Sequence, residues 1–353
     1  MTEIHNDDIF SLVGKHRKAI MGFAALIILM FHKYRCIFPA DSFLYQIESS
    51  LVGCGGVGVD IFFLISGIGL TYSIKKTSIG IFYYKRIKRL IIPFWLIGIV
   101  RGLFDHLSIM EIIGNITGVN FWTKNILSLL WFVPAIATFY FLFPLYYKFF
   151  EKSKNKYIFT SIIISVWLLL SLSFIGLLQE IGRLDFYMFT NRIPVFLIGV
   201  LFGWTAQQKK VVFSGSVWVL VGLVNAIGLF LMIQNEYLLV PYSQCFLPCL
   251  LLSISLTFIL AKLFDVFFKL RFCKIITAFF SAIGVVSLEM YCLQGAVDYL
   301  VDRYFSAFPA VVYNLLVFIS VMIISYLLYA VEKLIWKLSD SVFLKRKVNA
   351  EQK

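Results

Sequence analysis

Ten apolar runs recur along this chain, and they constrain it more than any other feature because each can cross a lipid bilayer as a helix. A spanning helix needs about 20 apolar residues. We place the runs at 19–37, 52–72, 90–107, 126–147, 157–178, 193–206, 211–233, 239–261, 275–297 and 311–335. The first and sixth are short and need flanking residues. Only 14% of the chain is charged, so we predict an all-α polytopic membrane protein with about ten transmembrane helices.

The distribution of lysine and arginine predicts the orientation of these helices. When loops are assigned to alternate sides, 25 of the 32 basic residues fall on the side of both termini and 7 on the other. Basic residues concentrate on the cytoplasmic side of membrane proteins, so we expect both termini in the cytoplasm. This asymmetry, with attraction to anionic lipid headgroups of the bilayer, accounts for the net charge of +13 without a nucleic-acid partner.

The loops between the runs are too short to hold a soluble domain. We expect one transmembrane domain over 1–353, with a short cytoplasmic N-terminus at 1–17 and a short basic cytoplasmic tail at 338–353. The first run is followed by "HKYRC" rather than by small residues, which predicts a retained helix and not a cleaved signal peptide.

The cysteines and histidines lack the spacing of a metal site. The chain has six cysteines and four histidines, without paired motifs that suit zinc, so we expect no bound metal. Cys36 and Cys54 flank the first loop on the side opposite the termini, and a disulfide between them is compatible with the sequence.

His32 ends the first apolar run at the side opposite the termini. It lies 14 residues after Lys18, or about 21 Å along a helix. Histidine has the right pKa for proton transfer near neutral pH. An interfacial histidine without a catalytic role is the alternative.

Asp60 stands at the front of the apolar stretch "GVDIFFLISGIGL". A carboxylate inside a membrane is costly and is commonly functional. It can orient a histidine, pair with a cation such as Arg192, or lie harmlessly at the helix entrance. Helical geometry places Gly67 on the face of Asp60 and turns Ser66 away, and the glycines of this stretch favour close helix packing over a nucleophilic serine.

Two further segments carry polar residues. "YYKRIKRLIIP" puts Arg86 and Arg89 before the third span, where they can clamp phosphates or contact lipid headgroups. "VVSLEMYCLQ" puts Ser287 and Tyr291 on one stripe of the ninth span and Glu289 on the opposite side. That pattern indicates either a polar cavity or hydrogen bonds between helices.

These segments, in this order, make the chain resemble the acyltransferase-3 family of membrane acyltransferases. The matching pieces run from residue 17 to about 298 and read "AALIILMFHK", "GVDIFFLISG", "KRIKRLIIP", "LWFVPAIATFYFLFPLYY", "RIPVFLIGVLFGW" and "SLEMYCLQ". The resemblance implies transfer of an acyl group, commonly acetyl, from cytoplasmic acyl-CoA to a hydroxyl of a cell-envelope carbohydrate. It implies a multi-pass protein of the inner (plasma) membrane, with acyl-CoA as co-substrate and no bound cofactor.

The resemblance also implies roles for individual residues. His32 would be the base or acyl relay. As a hypothesis of our own, Asp60 fixes the site through a cationic partner. Arg86 and Arg89 would hold the donor. Lining the acceptor cavity we expect Arg192, Ser287, Glu289 and Tyr291.

The chain departs from the family pattern at two positions. Met21 stands where the family has an arginine eleven residues before the histidine, and Gln294 stands where relatives have a histidine. Lys18 lies within about 40° of the His32 face, so we expect it to replace the missing arginine at the donor.

Two other functions fit the same sequence. A transporter or flippase for a glycan or lipid-linked sugar would also have many spans, intramembrane charges and prolines, although we find no paired halves. A non-catalytic scaffold is suggested by Met21 and Gln294.

Overall fold

The computed structural model describes residues 8–124, 130–180, 186–234 and 246–351, and every regular element within them is a helix. The helices are α1 (Ile9–Lys15), α2 (Arg17–Lys33), α3 (Phe43–Gly53), α4 (Val57–Lys76), α5 (Ile79–Phe104), α6 (Ile109–Ile116), α7 (Val119–Thr123), α8 (Phe132–Lys152), α9 (Lys156–Glu180), α10 (Phe186–Thr190), α11 (Ile193–Gln208), α12 (Gly215–Ile233), α13 (Phe246–Lys269), α14 (Lys274–Val285), α15 (Ser287–Phe305) and α16 (Ala310–Glu351). A short 3₁₀ turn joins α3 to α4.

Each predicted apolar run overlaps a described helix or helix pair, which confirms the all-α membrane class. Among the described residues, 7 helices are long and apolar enough to span a membrane, or 8 with the bent pair α14–α15. Two predicted spans are not in this count. Helix α2 has only 17 residues, and α5 includes the basic cluster, which makes it too highly charged to be counted. The count of ten stays a prediction. Residues 126–129 and 239–245 of the fourth and eighth runs lie outside the described residues.

The ninth predicted run is not one straight helix. The chain leaves helical geometry at Val286, and the axes of α14 and the start of α15 differ by 62°. The side chain of Arg89 on α5 donates to the carbonyl of Val285 at 3.4 Å, so a partner helix satisfies one backbone group at the bend. The prediction of a continuous helix over 275–297 is therefore wrong.

The N-terminal segment docks against the bundle as a helix of its own. Asp8 caps α1 through Ser11, and its other carboxylate oxygen accepts from the Val211 backbone at 2.8 Å. Lys15 and His16 both contact the buried carboxylate of Asp265 on α13. Residues 1–7 of the predicted N-terminus and 352–353 of the tail lie outside the described residues. The rest of the tail continues α16 to Glu351.

Helix α2 lies at the centre of the bundle, where glycines allow backbones to touch. A side chain at Gly284 on α14 would collide with the Lys18 carbonyl on α2, and one at Gly67 on α4 would collide with the Phe196 carbonyl on α11. Such approaches are typical of membrane helices packed through small residues. Helices α9 and α12 show the opposite pattern, because only 11% and 6% of their apolar 18-residue stretches are buried. The polar residues therefore lie on the central helices and the apolar surface faces outward.

Candidate functional site

A cleft lined by basic side chains opens at one end of the bundle, between α2, α5, α14 and α16. Its volume is about 900 Å³, and we call it the basic cleft. Its basic lining residues are Arg17, Lys18, Lys85, Lys88, Arg89, Lys333 and Lys337. Tyr329 and Trp336 add aromatic surface to the same wall. A concave surface of one charge sign concentrates ligands of the opposite sign, so this cleft is suited to a polyanion.

A smaller cavity of about 130 Å³ adjoins the basic cleft, and we call it the inner pocket. The residues that line both cavities are Arg17, Met21, Arg89 and Ser287. The other polar residues of the inner pocket are Ser66, Arg86, Tyr140 and Tyr291. Arg86, Ser287 and Tyr291 thus meet in one place, although the sequence assigned them to different ligands. Ser66 faces this pocket, while its neighbour Gly67 packs on α11.

Arg17 and Arg86 carry charges that no carboxylate neutralises within the described part of the chain. The guanidinium of Arg86 lies over the rings of Phe82 and Tyr140, at 5.3 and 5.8 Å from their centroids, and its Nε is buried without a hydrogen-bond partner. The Arg17 guanidinium packs against α4 at Gly69. Its Nη1 atom lies 3.5 Å from the point that a Cβ atom at Gly69 would occupy. Two uncompensated guanidinium groups beside one pocket favour a bound anion.

Arg89 is neutralised, unlike Arg17 and Arg86. Its guanidinium binds the Glu289 carboxylate through two bonds of 2.5 and 3.1 Å, and lies 3.3 Å from Glu332. Glu289 is fully buried. A buried carboxylate needs a cation at this distance, so Arg89 joins α5 to α15 and α16, and it also lines both cavities. Glu289 correspondingly contacts Arg89 and does not join Arg192.

The position of the missing family arginine is surrounded by cations. Met21 lines both the basic cleft and the inner pocket, and Lys18 lines the basic cleft. Arg17 is not among the site residues predicted from the sequence. The signal was present, because residues four apart share a helix face and Arg17 precedes Met21 by four.

Asp60 pairs with Arg192. Their Oδ2 and Nη2 atoms are 3.3 Å apart, and Asp60 is almost completely buried at the start of α4. The guanidinium of Arg192 also lies 5.3 Å from the ring centroid of Trp131. The sequence left several partners open for Asp60. In the structure its partner is Arg192.

His32 lies apart from this ion pair. It is exposed in the last turn of α2, with its ring against Phe31 at 5.0 Å between centroids. Within the described residues, the ion-pair partner of the buried Asp60 carboxylate is Arg192 and not His32. Helical geometry places His32 within about 20° of Met21 around the axis of α2 and about 16 Å further along it.

The described residues also bear on metals and disulfides. Within the described ranges, no group of three or more His, Cys, Asp or Glu side chains is placed to hold a metal ion. Cys36 is a free thiol, so the disulfide with Cys54 that the sequence allows is not formed in the structure.

Comparison with known proteins identifies the family. A family model described as an acyltransferase domain, of the acyltransferase-3 type, matches residues 19–330, which is most of the chain. Searches of curated proteins and of solved structures gave no match. The matched range contains α2, the basic segment of α5, the Asp60–Arg192 pair and α15. The chain therefore belongs to the acyltransferase-3 family and is a membrane acyltransferase.

Proposed function

We propose that this protein transfers an acyl group, most simply acetyl, from a cytoplasmic acyl-CoA to a hydroxyl of a cell-envelope carbohydrate, as a multi-pass protein of the inner (plasma) membrane. The observation that carries the proposal is the pair of uncompensated guanidinium groups, Arg17 and Arg86, beside the inner pocket. In a member of an acyltransferase family, the anion that these groups await is most simply the phosphate portion of the donor.

The basic cleft fits the nucleotide end of that donor. Its lysines and Arg17 suit phosphate groups, and Trp336 and Tyr329 offer aromatic surface on which a base can stack. The acyl thioester lies at the end of a long flexible arm, so it can enter the inner pocket while the phosphates stay in the cleft. Lys18 and Arg86 keep their proposed role as donor ligands. Arg89 becomes a residue that holds the pocket wall.

The chemistry requires one proton transfer and one nucleophilic attack. As His32 accepts the proton of the acceptor hydroxyl, the hydroxyl oxygen attacks the thioester carbonyl and the bond from that carbon to the CoA sulfur breaks. The proton then goes to the CoA thiolate. A thioester is a good acyl donor, so positioning and proton transfer are the main contributions of the protein. Alternatively, His32 carries the acyl group between donor and acceptor.

Asp60 acts in this proposal as a positioning residue through Arg192. The ion pair joins the start of α4 to the start of α11, at the end of the bundle that holds the last turn of α2. Ser287 and Tyr291 line the inner pocket. We propose that they contact the acyl portion of the donor, whereas Glu289 acts through Arg89.

The proposal is tested with inverted membrane vesicles, labelled acetyl-CoA and the glycan fraction of the producing cell. Label should reach glycan with wild-type protein and with Lys75→Ala, a control that removes an exposed lysine at the end of α4. His32→Ala should abolish transfer at equal protein levels, and full activity would refute its role. Movement of unmodified glycan without label would identify a transporter. A failure to bind acetyl-CoA would identify a scaffold.

A further inference from the structure

A third cavity lies at the far end of α5 from the basic cleft and contains none of the residues assigned to the donor. It is bounded by α5, the short helices α6 and α7, and the start of α8, and its volume is about 220 Å³. We call it the outer pocket. Arg101 on its wall follows Arg89 by twelve residues on α5, which is about 18 Å along the helix. The two ends of α5 therefore carry two different polar cavities.

The outer pocket is a built site rather than a gap between loops. Trp95 on α5 donates through Nε1 to the Ile116 carbonyl at 2.9 Å. The amide of Asn120 on α7 donates to the Glu111 carbonyl at 3.0 Å and to Asn115 Oδ1 at 2.8 Å. These bonds fix α6 and α7 to each other and to α5. The polar groups of the pocket are thereby held in place before any ligand arrives.

The charges of the outer pocket cancel within the pocket. Arg101 Nε lies 3.2 Å from Asp105 Oδ2, and Lys124 Nζ lies 3.9 Å from Glu111 Oε1. Hydrogen bonds from the Ser108 hydroxyl and backbone hold the pKa of Glu111 below its ordinary value, so it stays a carboxylate. The basic cleft has an excess of cations, whereas this pocket has two pairs. A neutral ligand therefore fits it better than an anion.

The remaining lining combines donors, acceptors and aromatic rings. Arg101 Nη1 is buried without a hydrogen-bond partner, and the side chains of Asn115 and Asn120 line the same cavity. The rings of Trp131 and Phe121 complete the wall. A hydroxyl both donates and accepts, so mixed polar groups beside an aromatic face suit a sugar ring. The volume is below the range of about 300–1,000 Å³ that holds drug-sized ligands, which limits the pocket to about one ring.

The outer pocket and the inner pocket share a thin wall. Trp131 lines the outer pocket, and the next residue, Phe132, lines the inner pocket. The backbone N–H of Phe132 donates to the Tyr291 hydroxyl at 3.3 Å, and Arg192 lies over Trp131. A ligand in the outer pocket is thus held next to the cavity assigned to the acyl group.

From these observations we infer that the outer pocket is the acceptor site and that it selects an uncharged sugar residue over a uronic acid or phosphorylated sugar. Trp131 is the stacking surface, and the Arg101–Asp105 and Lys124–Glu111 pairs are the specificity-determining groups. This inference rests on the proposed function, since it names the acceptor for that reaction. It does not depend on which group removes the hydroxyl proton.

The test measures saturation transfer by NMR from the purified full chain, in detergent, to methyl glycosides of four neutral hexoses and to the methyl glycosides of matching uronic acids. Wild-type protein should give signal to at least one neutral glycoside and a signal at least about fivefold weaker to its uronate, since one mispaired charge is worth about 1 kcal/mol or more. Trp131→Ala should remove the neutral signal, and Trp218→Ala on α12 should leave it unchanged.

Two charge variants keep the inference open to refutation where Trp131→Ala fails to fold. Asp105→Asn and Glu111→Gln each leave one cation of the pocket without its carboxylate, so both should narrow or reverse the preference for neutral sugar. Unchanged preference in both variants would overturn the inference, as would absence of signal from every neutral glycoside. Acetyl-CoA binding by the same preparations reports the proposed function separately. If wild-type protein does not bind acetyl-CoA, the proposed function is refuted. If it binds acetyl-CoA but shows no preference among the sugars, only the acceptor site is refuted.

Discussion

Nη2 of Arg192 lies 3.3 Å from Oδ2 of Asp60, joining α4 and α11 through one ion pair in the protein interior. Both partners are buried or nearly so. Breaking a buried pair from one side leaves an uncompensated charge, which is far more costly than losing an exposed pair. The first prediction follows from this asymmetry.

Arg192→Ala should destabilise the protein by about 3–5 kcal/mol, because Asp60 is left charged and buried. The double variant Asp60→Asn with Arg192→Gln should recover much of that loss. The measurement is thermal unfolding in detergent, followed by size-exclusion chromatography. Lys75→Ala removes one partner of an exposed pair with Glu151 and should change stability by less than about 1 kcal/mol. An equal loss of stability in Arg192→Ala and Lys75→Ala would contradict the prediction. It would mean that the buried ion pair with Asp60 contributes no more than an exposed pair.

Arg89→Ala should lower the amount of folded protein more than any lysine variant of the basic cleft. It leaves Glu289 buried without its partner and frees Glu332, whereas Lys85 lines the cleft and pairs with no carboxylate in the described part of the chain. Membrane levels of Arg89→Ala, Arg89→Lys and Lys85→Ala give the comparison. Arg89→Lys should recover only part of the loss, since lysine cannot make the two parallel bonds. Normal levels of Arg89→Ala, with weakened acetyl-CoA binding, would instead return Arg89 to the donor site.

Arg17→Ala and Arg86→Ala should weaken acetyl-CoA binding with little effect on folding, because neither guanidinium holds a carboxylate. A lost charge-assisted hydrogen bond is worth about 1.5–3 kcal/mol, or about tenfold or more in affinity. The affinity of wild-type protein should fall with added salt, and that dependence should be smaller in both variants.

Met21→Arg should restore acetyl-CoA affinity in the Arg17→Ala background. The two positions share a helix face and line the same two cavities. An arginine at 21 can therefore supply the missing cation. Ala24→Arg, at a fully buried position of α2, should fail to restore binding. The measurement is the acetyl-CoA affinity of both double variants, taken from binding isotherms. Equal affinities would mean that the position of the added charge does not matter.

Gly284→Ala should destabilise the crossing of α2 and α14 by about 1–3 kcal/mol, because the added methyl group meets the Lys18 carbonyl and the backbones must separate. Gly222→Ala on α12 is the matched control, since a side chain there meets open space. Unfolding temperatures of the two variants provide the measurement. A neutral effect at both positions would mean that the crossing relaxes without cost.

The sequence predicted what depends on local pattern. Long apolar runs identified the helices, because burial of twenty backbone polar groups in lipid leaves few alternatives. Helical periodicity placed Ser287 and Tyr291 on one face, and the structure brings both to the inner pocket with Arg86. Because Asp60 is a charged residue in an apolar segment, the sequence predicted a partner for it. It did not decide which residue that partner is.

What the sequence left undecided depends on contacts between distant segments. Arg89 and Glu289 are 200 residues apart, so nothing local shows that Arg89 is neutralised. The bend at Val286 depends in part on a bond from α5. The outer pocket is formed by residues that look like ordinary loop and span residues in the sequence, because its polar groups are spread over three helices, α5, α6 and α7, and their ends.

Trp131 and Phe132 face opposite cavities although they are neighbours in the chain. At this place the wall between the two cavities is formed in part by adjacent residues of the chain. Such a barrier can remain sealed to ions and to the nucleotide while a group of only a few atoms is handed across it. In the proposed reaction the highly charged carrier can therefore stay on its own side of this wall while the acyl group is transferred.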